Sequence, residues 1–179
     1  MSTSDTHTTH WFALKVFFNR VPHVRKSMED AGHETYVPMT VVETFEDGGL
    51  RYVDRPLVTS LLFVHCAEQE LIDFKKAEDK YFMYYSDFLS GRPARISDKE
   101  MRNFILATSV RDRGLQYMGE DSPEFHEGQH VRVKDGIYKG VEGYIKRIKR
   151  DRKFFVCLSG VAVVCTSFIH PSFLEPIDD

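Results

Sequence analysis

The chain has 179 residues, of which 42% are hydrophobic and 28% charged, and its formal net charge at pH 7 is −3. These values are typical of one large or two small globular domains, and no run of residues approaches the roughly 20 apolar residues that a membrane span needs. Three cysteines, an odd number without a C-x-x-C pair, argue against a disulfide framework or a zinc site. We therefore expect a cytoplasmic protein without a cofactor or a metal.

The N-terminal part of the chain predicts a tail, a strand and a helix. Residues 1–9 are polar and lack both a basic and an apolar region, so they predict a disordered tail rather than a secretory signal. His10–Phe18 is apolar on both faces and predicts a central strand. Asn19 as the N-cap, Pro22 in the first turn and Gly32 as the stop predict a helix between them.

The next segments alternate between strands and helices. Thr35–Phe45 is rich in β-branched residues but interrupted by Pro38, which indicates an edge strand or a bulge. After a turn with two glycines, the chain returns as the partner strand of a hairpin. The later predicted elements are a buried strand over Leu57–Cys66, a helix over Glu68–Ala77, a strand over Tyr81–Tyr85 and a helix from Ser97 to about Val110.

The pattern changes after the last helix. Residues 111–125 have no periodicity and contain two glycines and a proline, so they predict a linker. Only short strands follow, beginning with EGQHVRVKDGIYKGVEGYIKRI at 127–148, which alternates around Val131 and Val133 and turns at Asp135-Gly136. Gly140 and Gly143 predict positive φ or a close approach of two strands.

These elements predict an α+β protein in two parts. The first is an N-terminal α/β sandwich, an antiparallel sheet flanked by helices, and the second is a small all-β SH3-like barrel of five strands whose closure removes exposed edges. The expected domains are a tail at 1–9, the α/β domain at 10–111, a linker at 112–124 and the barrel at 125–179.

Several motifs carry a family resemblance. The glycine and valine pattern of 127–148 resembles the KOW motif of small barrels. With W-F-A-L-K at 11–15, Y-V-P-M at 36–39, P-L-V-T-S-L-L-F-V at 56–64 and I-S-D-K-E at 96–100, the chain resembles the NusG family of transcription elongation factors over residues 10–179. Among the members of this family it is most similar to the specialised paralogues of the RfaH and UpxY type.

The resemblance implies a function in transcription. The N-terminal domain of the chain would bind RNA polymerase on the clamp helices of the largest subunit. The bound factor would suppress pausing or termination on specific long operons such as capsular polysaccharide loci. One alternative is a housekeeping factor that couples polymerase to the Rho terminator or the ribosome. Another is an RNA-binding KOW protein of the ribosome or of RNA processing, which the net charge of −3 contradicts.

The resemblance also implies contact residues. The family's polymerase-docking patch falls on Lys15, Val58, Leu61, Phe63 and Tyr84. We expect these residues to share one sheet face that the helices leave uncovered, which would make them an exposed docking surface. The alternative is that the apolar members simply fill the core.

Two positions depart from the family pattern. The usual F-P-G-Y before the strand is Val58-Thr59-Ser60-Leu61 here, and an aromatic residue of the docking patch is replaced by Lys15. Both departures disfavour the housekeeping factor. The H-T-T element of the RfaH type, which touches the other polymerase jaw, has no match after Glu70.

The barrel and the basic residues supply further candidates. In the family, the barrel loop that meets a ribosomal protein or Rho falls on Ile137 and Tyr138. Contact with upstream or non-template DNA is a hypothesis for five basic residues, for which a solvated helix face is the alternative: Arg20, Arg25, Lys75, Lys76 and Lys80. The Lys146–Lys153 cluster is interpreted as a solubilising turn or a nucleic-acid contact. We expect a monomer with no membrane partner.

No motif predicts an enzyme. The sequence lacks G-x-S-x-G, a glycine-rich phosphate loop and H-E-x-x-H. His126 and His130 are four residues apart, but they lie where a strand begins and would not converge as they do on a helix. His65 and Cys66 are neighbours in a strand and point to opposite faces, which is poor geometry for a nucleophile and its base.

Overall fold

A computed structural model describes residues 8–178. Its chain divides into two compact units that do not follow the order of the sequence: unit 1 is Met1–Val37 with Val58–Asp98, and unit 2 is Pro38–Leu57 with Lys99–Asp179. Residues 1–7 of the expected tail lie outside the described residues, and Thr9 already begins the first strand. The domain boundaries expected from the sequence stay a prediction.

Unit 1 is an antiparallel sheet with two helices. The elements are β1 (Thr9–Val16), α1 (Val21–Asp30), β2 (Glu34–Tyr36), β5 (Leu61–Ala67), α2 (Glu68–Ala77) and β6 (Phe82–Tyr84). The strands lie in the order β2-β5-β1-β6, and each pairs with its neighbours in antiparallel fashion. This confirms the predicted α/β sandwich, in which the apolar β1 is a central strand.

The core of unit 1 lies between the sheet and its helices. Alternate residues of β1 and β5 face α1 and α2, because successive side chains of a strand point to opposite sides. The buried cluster consists of Phe12, Leu14, Val16, Val21, Val24, Met28, Val37, Leu62, Val64, Cys66, Leu71 and Phe82.

The ends of α1 differ in part from the prediction. The N-cap is Arg20 and no side chain caps the helix, whereas Asn19, the predicted cap, has a left-handed φ of 54°. Gly32 ends the helix as predicted. Its φ is 87°, and its N–H donates to the carbonyl of Glu29.

Unit 2 combines a hairpin, a helix and a six-stranded sheet. The hairpin is β3 (Met39–Glu46) with β4 (Gly49–Pro56). The single strand predicted over Thr35–Phe45 is instead divided before Met39 into β2 and β3, which belong to different sheets. The helix is α3 (Asp98–Thr108). The sheet consists of β7 (Gln116–Gly119), β8 (Gln129–Val133), β9 (Glu142–Ile148), β10 (Asp151–Leu158), β11 (Ala162–Cys165) and β12 (Leu174–Pro176).

The C-terminal sheet has the strand order β12-β8-β9-β10-β11-β7 and is compatible with an SH3-like KOW barrel. It differs from the expected five-stranded closed barrel, because a sixth strand is present and the described residues show no pairing between β12 and β7. The sixth strand, β7, lies in the segment predicted as a linker and pairs with β11.

Candidate functional site

The register of the strands in unit 1 defines two sides of its sheet. Residues directly opposite each other in an antiparallel pair point to the same side. Lys15 lies opposite Leu61 on one neighbouring strand and Met83 on the other, and Ala13 lies opposite Phe63. These five residues form what we call the Lys15 face, which is the side of the sheet opposite to α1 and α2.

The predicted docking residues lie only partly on the Lys15 face. Lys15 is exposed and Val58, just before β5, is half-buried. Leu61 and Phe63 are on this face but are buried, with 3% and 0% of their surface exposed. Tyr84 lies opposite Leu14 and packs against the core on the other side of the sheet.

The expectation of one exposed face shared by all five residues is therefore wrong. Tyr84 is one residue out of phase, because a shift of one position moves a strand side chain to the opposite side of its sheet. Leu61 and Phe63, the two apolar candidates that do lie on the Lys15 face, are buried. Their burial agrees with the alternative that the apolar candidates fill the core.

Met83 was not among the docking residues predicted from the sequence. It is the neighbour of Tyr84, lies on the Lys15 face and has 56% of its surface exposed. The alternation that would have found it is hidden in YFMYY, where every residue is large and apolar or aromatic. Lys15 and Met83 are thus the exposed members of this face, a cation beside a flexible apolar side chain.

Glu68 forms a buried ionic cluster at the start of α2. Its side-chain oxygens accept hydrogen bonds from Arg92 at 2.5 Å and from Arg95 at 2.9–3.0 Å, although Glu68 itself is only 8% exposed. Burial raises the pKa of this carboxyl, but the hydrogen bonds from Arg95 and Arg92 outweigh it and hold the pKa below 4.5. The carboxylate therefore holds the segment of Arg92 and Arg95 against the start of α2.

Three of the five basic candidates are neutralised by acidic neighbours. Arg25 donates to Glu29 at 2.7 Å. Lys75 donates to Asp79 at 2.6 Å, and the ammonium of Lys76 lies 3.0 Å from the carboxylate of Asp73. These pairs are typical of a solvated helix surface.

The other two basic candidates lie over one aromatic ring. The guanidinium of Arg20 is 5.7 Å from the centroid of the Tyr81 ring, and the ammonium of Lys80 is 4.9 Å from it. His23 packs edge-on against the same ring at 5.2 Å. Among the described residues, neither Arg20 nor Lys80 has an acidic partner, so their charges remain available to an anion.

The loop after β8 separates the two predicted barrel residues. Ile137 is 64% exposed, whereas Tyr138 is 2% exposed and its hydroxyl donates to the carboxylate of Asp112. Burial, followed by this hydrogen bond, raises the pKa of Tyr138. The placement of Tyr138 at the apolar tip of the loop is therefore wrong, and its ring is part of the interior of unit 2.

The comparisons with known proteins identify the family. The profile described as "Transcription termination factor nusG" matches residues 9–105, more than half of the 179-residue chain. The chain belongs to the NusG family. Members of this family are non-enzymatic factors of transcription elongation and antitermination that interact with RNA polymerase.

The other comparisons add little to this assignment. A solved structure described as "Domain interaction in Thermotoga maritima NusG" is 19% identical, with a TM-score of 0.48, and the match covers 96% of this chain and 98% of that one. No curated protein sequence matches the chain.

An apolar hollow of about 210 Å³ lies beside Ile137 in this NusG-family chain. Its lining includes Phe168, which is 74% exposed, together with Ile169 and Phe173. Phe168 and Phe173 lie more than thirty residues after Ile137 in the sequence, so only the fold of the C-terminal sheet reveals this grouping.

The chain has three free cysteines, and one of these, Cys157, lies in a mixed cluster of possible metal ligands. Burial raises the pKa of Cys66 and of Cys157 to about 12, so both thiols are protonated and unreactive at neutral pH. Among residues 8–178, one group has three possible metal ligands within 4.8 Å of one another, formed by Asp121, His126 and Cys157. A direct 2.8 Å bond between His126 and Asp121 already uses two of them.

Within the described part of the NusG-family chain, no helix is both long and apolar enough to cross a membrane.

Proposed function

We propose that this chain is a specialised NusG-type elongation factor that docks on the clamp helices of the largest polymerase subunit through the Lys15 face. The observation that carries the proposal is the exposed pair of Lys15 and Met83, in register on the side of the sheet opposite to α1 and α2. An apolar side chain beside a cation fits a partner surface that offers a hydrophobic contact and an acidic group.

The specialised role rests on departures from the family pattern. Val58-Thr59-Ser60-Leu61 replaces F-P-G-Y, and Lys15 stands where the docking patch has an aromatic residue. We infer that the chain suppresses pausing or termination on particular long operons in the cytoplasm, such as capsular polysaccharide loci. The alternative is a housekeeping factor that couples polymerase to Rho or the ribosome.

Arg20 and Lys80 are the proposed contacts to upstream or non-template DNA. Their charges lie together over Tyr81 without acidic partners among the described residues, which supports phosphate binding next to an aromatic platform. Arg25, Lys75 and Lys76 are assigned no such contact because their charges are already paired.

Ile137 is the proposed contact of the C-terminal sheet with a ribosomal protein or Rho. It is exposed beside an apolar hollow that includes Phe168 and Phe173, a combination that suits one apolar anchor of a partner. Tyr138 is excluded from this contact because it is buried.

A reconstituted transcription assay with purified polymerase and the full chain tests the docking proposal. We expect Met83→Glu and Lys15→Glu each to weaken polymerase binding at least tenfold, since each places a carboxylate on the docking face. The matched control is Met118→Glu, which adds the same charge at a strand methionine of unit 2 that is 38% exposed. Equal binding by Met83→Glu and Met118→Glu would refute the assignment of the Lys15 face.

Binding and crosslinking measurements in the same reconstituted system separate the other contacts. Arg20→Ala with Lys80→Ala should leave polymerase binding intact and reduce crosslinking to upstream DNA. Ile137→Asp should change neither and should abolish binding to Rho or the ribosome. Unchanged crosslinking by Arg20→Ala with Lys80→Ala would refute the proposed DNA contact. Unchanged binding of Rho or the ribosome by Ile137→Asp would refute the proposed contact of the C-terminal sheet.

Template choice separates the specialised from the housekeeping role. We expect read-through on one long operon leader and none on unrelated leaders of equal length. Equal read-through on all leaders would favour the housekeeping alternative.

A further inference from the structure

A basic cleft lies at the β9–β10 hairpin and shares Phe168 with the apolar hollow beside Ile137. The basic cleft encloses about 590 Å³. It is lined by Arg147, Arg150, Asp151, Arg152, Lys153, Thr166, Ser167, Phe168 and Pro171. Four of these side chains are cations and one is an anion, although the whole chain carries a net charge of −3. We call this feature the hairpin cleft.

The register of the hairpin places two pairs of like charges directly opposite each other, one pair on each side of the sheet. Arg147 lies directly opposite Arg152, and Lys146 opposite Lys153. Like charges directly opposite each other on neighbouring strands destabilise a sheet. A hairpin that served only solubility would not need to place its cations in opposing pairs.

The cations of the cleft are not neutralised within the chain. Lys146 reaches Glu127 at 3.3 Å, but among residues 8–178 the four cations that line the cleft form no ion pair. Arg147, Arg150 and Arg152 are exposed. The local field is therefore positive and open to an external anion.

Phe168 adds an aromatic surface to the same cleft. It is 74% exposed, which is unusual for a phenylalanine and leaves its ring available to a ligand. A row of cations beside an exposed ring is the combination that binds single strands, because the cations contact phosphates while bases stack on the ring. A duplex would not use the ring, since its bases are already stacked.

We propose that the hairpin cleft binds single-stranded nucleic acid, with the arginines on phosphates and Phe168 beneath a base. This binding needs no polymerase and goes beyond the docking and partner contacts described above. The volume of the cleft lies within the range of small-ligand sites, so it accommodates a short segment of strand rather than a folded RNA.

The test is equilibrium binding of the full chain to labelled 12-nucleotide oligomers of uridine and of thymidine, and to a duplex of the same length. We expect Arg147→Ala with Arg152→Ala to weaken single-strand binding at least tenfold while leaving the fold intact, since the substitution also relieves a like-charge pair. Phe168→Ala should weaken it at least about fivefold, the loss of one stacked base.

The matched control is Lys26→Ala with Arg51→Ala, which removes two cations that already have acidic partners at 2.6 Å and 3.4 Å. It makes the same change in net charge and should leave affinity unchanged. Equal losses in both double variants, no loss in the cleft variants, or duplex binding as tight as single-strand binding would overturn the proposal. Tighter binding to the uridine oligomer would identify RNA as the ligand. Equal affinity for the uridine and thymidine oligomers would show that the cleft binds single-stranded RNA and single-stranded DNA alike.

Discussion

Glu68 is a nearly buried carboxylate that is held by two exposed arginines. Its carboxylate is nearly buried, yet its two partners, Arg92 and Arg95, are 65% and 48% exposed. Water therefore screens the arginines while the carboxylate depends on them. Glu68→Gln keeps the size of the side chain but removes the charge that accepts the hydrogen bonds of both arginines, so their charge-assisted part is lost.

Glu68→Gln should lower the free energy of unfolding by about 1–3 kcal/mol at pH 7. The folded pKa of Glu68 is lowered from 4.5, so its contribution is present above about pH 4.5 and is lost as the pH falls through the lower folded value. The difference between wild type and variant should therefore shrink in acid. Urea unfolding followed by circular dichroism at a series of pH values measures it.

The control for this prediction is Glu34→Gln, which changes an exposed carboxylate of β2. Its effect should be within about 0.5 kcal/mol at every pH. A Glu68→Gln variant whose deficit does not change with pH would show that the carboxyl does not titrate with a lowered pKa.

At this scale the sequence did not predict which candidate side chains are exposed or which side of the sheet they face. Tyr84 was expected where Met83 lies, and Tyr138 was expected at a tip that only Ile137 occupies. In each case the predicted residue is the sequence neighbour of the residue that is exposed. The direction in which a side chain points depends on the register of its strand, and the register is set by the pairing partners. Neighbouring apolar residues leave no alternation from which to read it.

Among the elements, β9 shows why a glycine is needed at a crossing of strands. A Cβ at Gly143 would lie 2.3 Å from the carbonyl oxygen of Phe155 and 2.8 Å from the ring of Phe154. Neither a backbone carbonyl nor a buried ring can yield easily. The predicted close approach of two strands is thus present at Gly143, whereas Gly140 has instead a positive φ of 91°.

Gly143→Ala should destabilise the C-terminal sheet by about 1–3 kcal/mol or prevent it from forming, because the added methyl group forces the strands apart. Hydrogen exchange of the β8, β9 and β10 amides measures the effect, and we expect unit 1 amides to keep their protection. The control is Gly49→Ala, where the nearest atom to the new Cβ is 4.0 Å away. Equal protection in both variants would contradict this account.

Most elements were predictable because their periodicity is strong. The helix over Glu68–Ala77 was predicted with the bounds that the structure has, and its acidic first turn and basic last turn mark both ends. The strand over Gln116–Gly119 was not predicted. Its four residues have no alternation, and it is a strand only because β11 offers an edge with which to pair.

For the whole molecule, net charge and local charge lead to different expectations. A net charge of −3 disfavours general coating of nucleic acid. The hairpin cleft nevertheless gathers four cations on one surface. Composition could not reveal this, because strand pairing and the placement of Phe168 beside the hairpin depend on the fold.

The salt dependence of single-strand binding distinguishes a local site from general attraction. Each phosphate neutralised contributes about 0.7 to the slope of log affinity against log salt concentration. Arg147→Ala with Arg152→Ala should therefore reduce the magnitude of the slope by about 1.4, while Lys26→Ala with Arg51→Ala should leave it unchanged. Titrations between 50 mM and 200 mM salt suffice, since four phosphate contacts predict a total loss of affinity of roughly 50-fold over that range. If both double variants lower the slope equally, the chain binds through its overall field and the hairpin cleft has no special part in it.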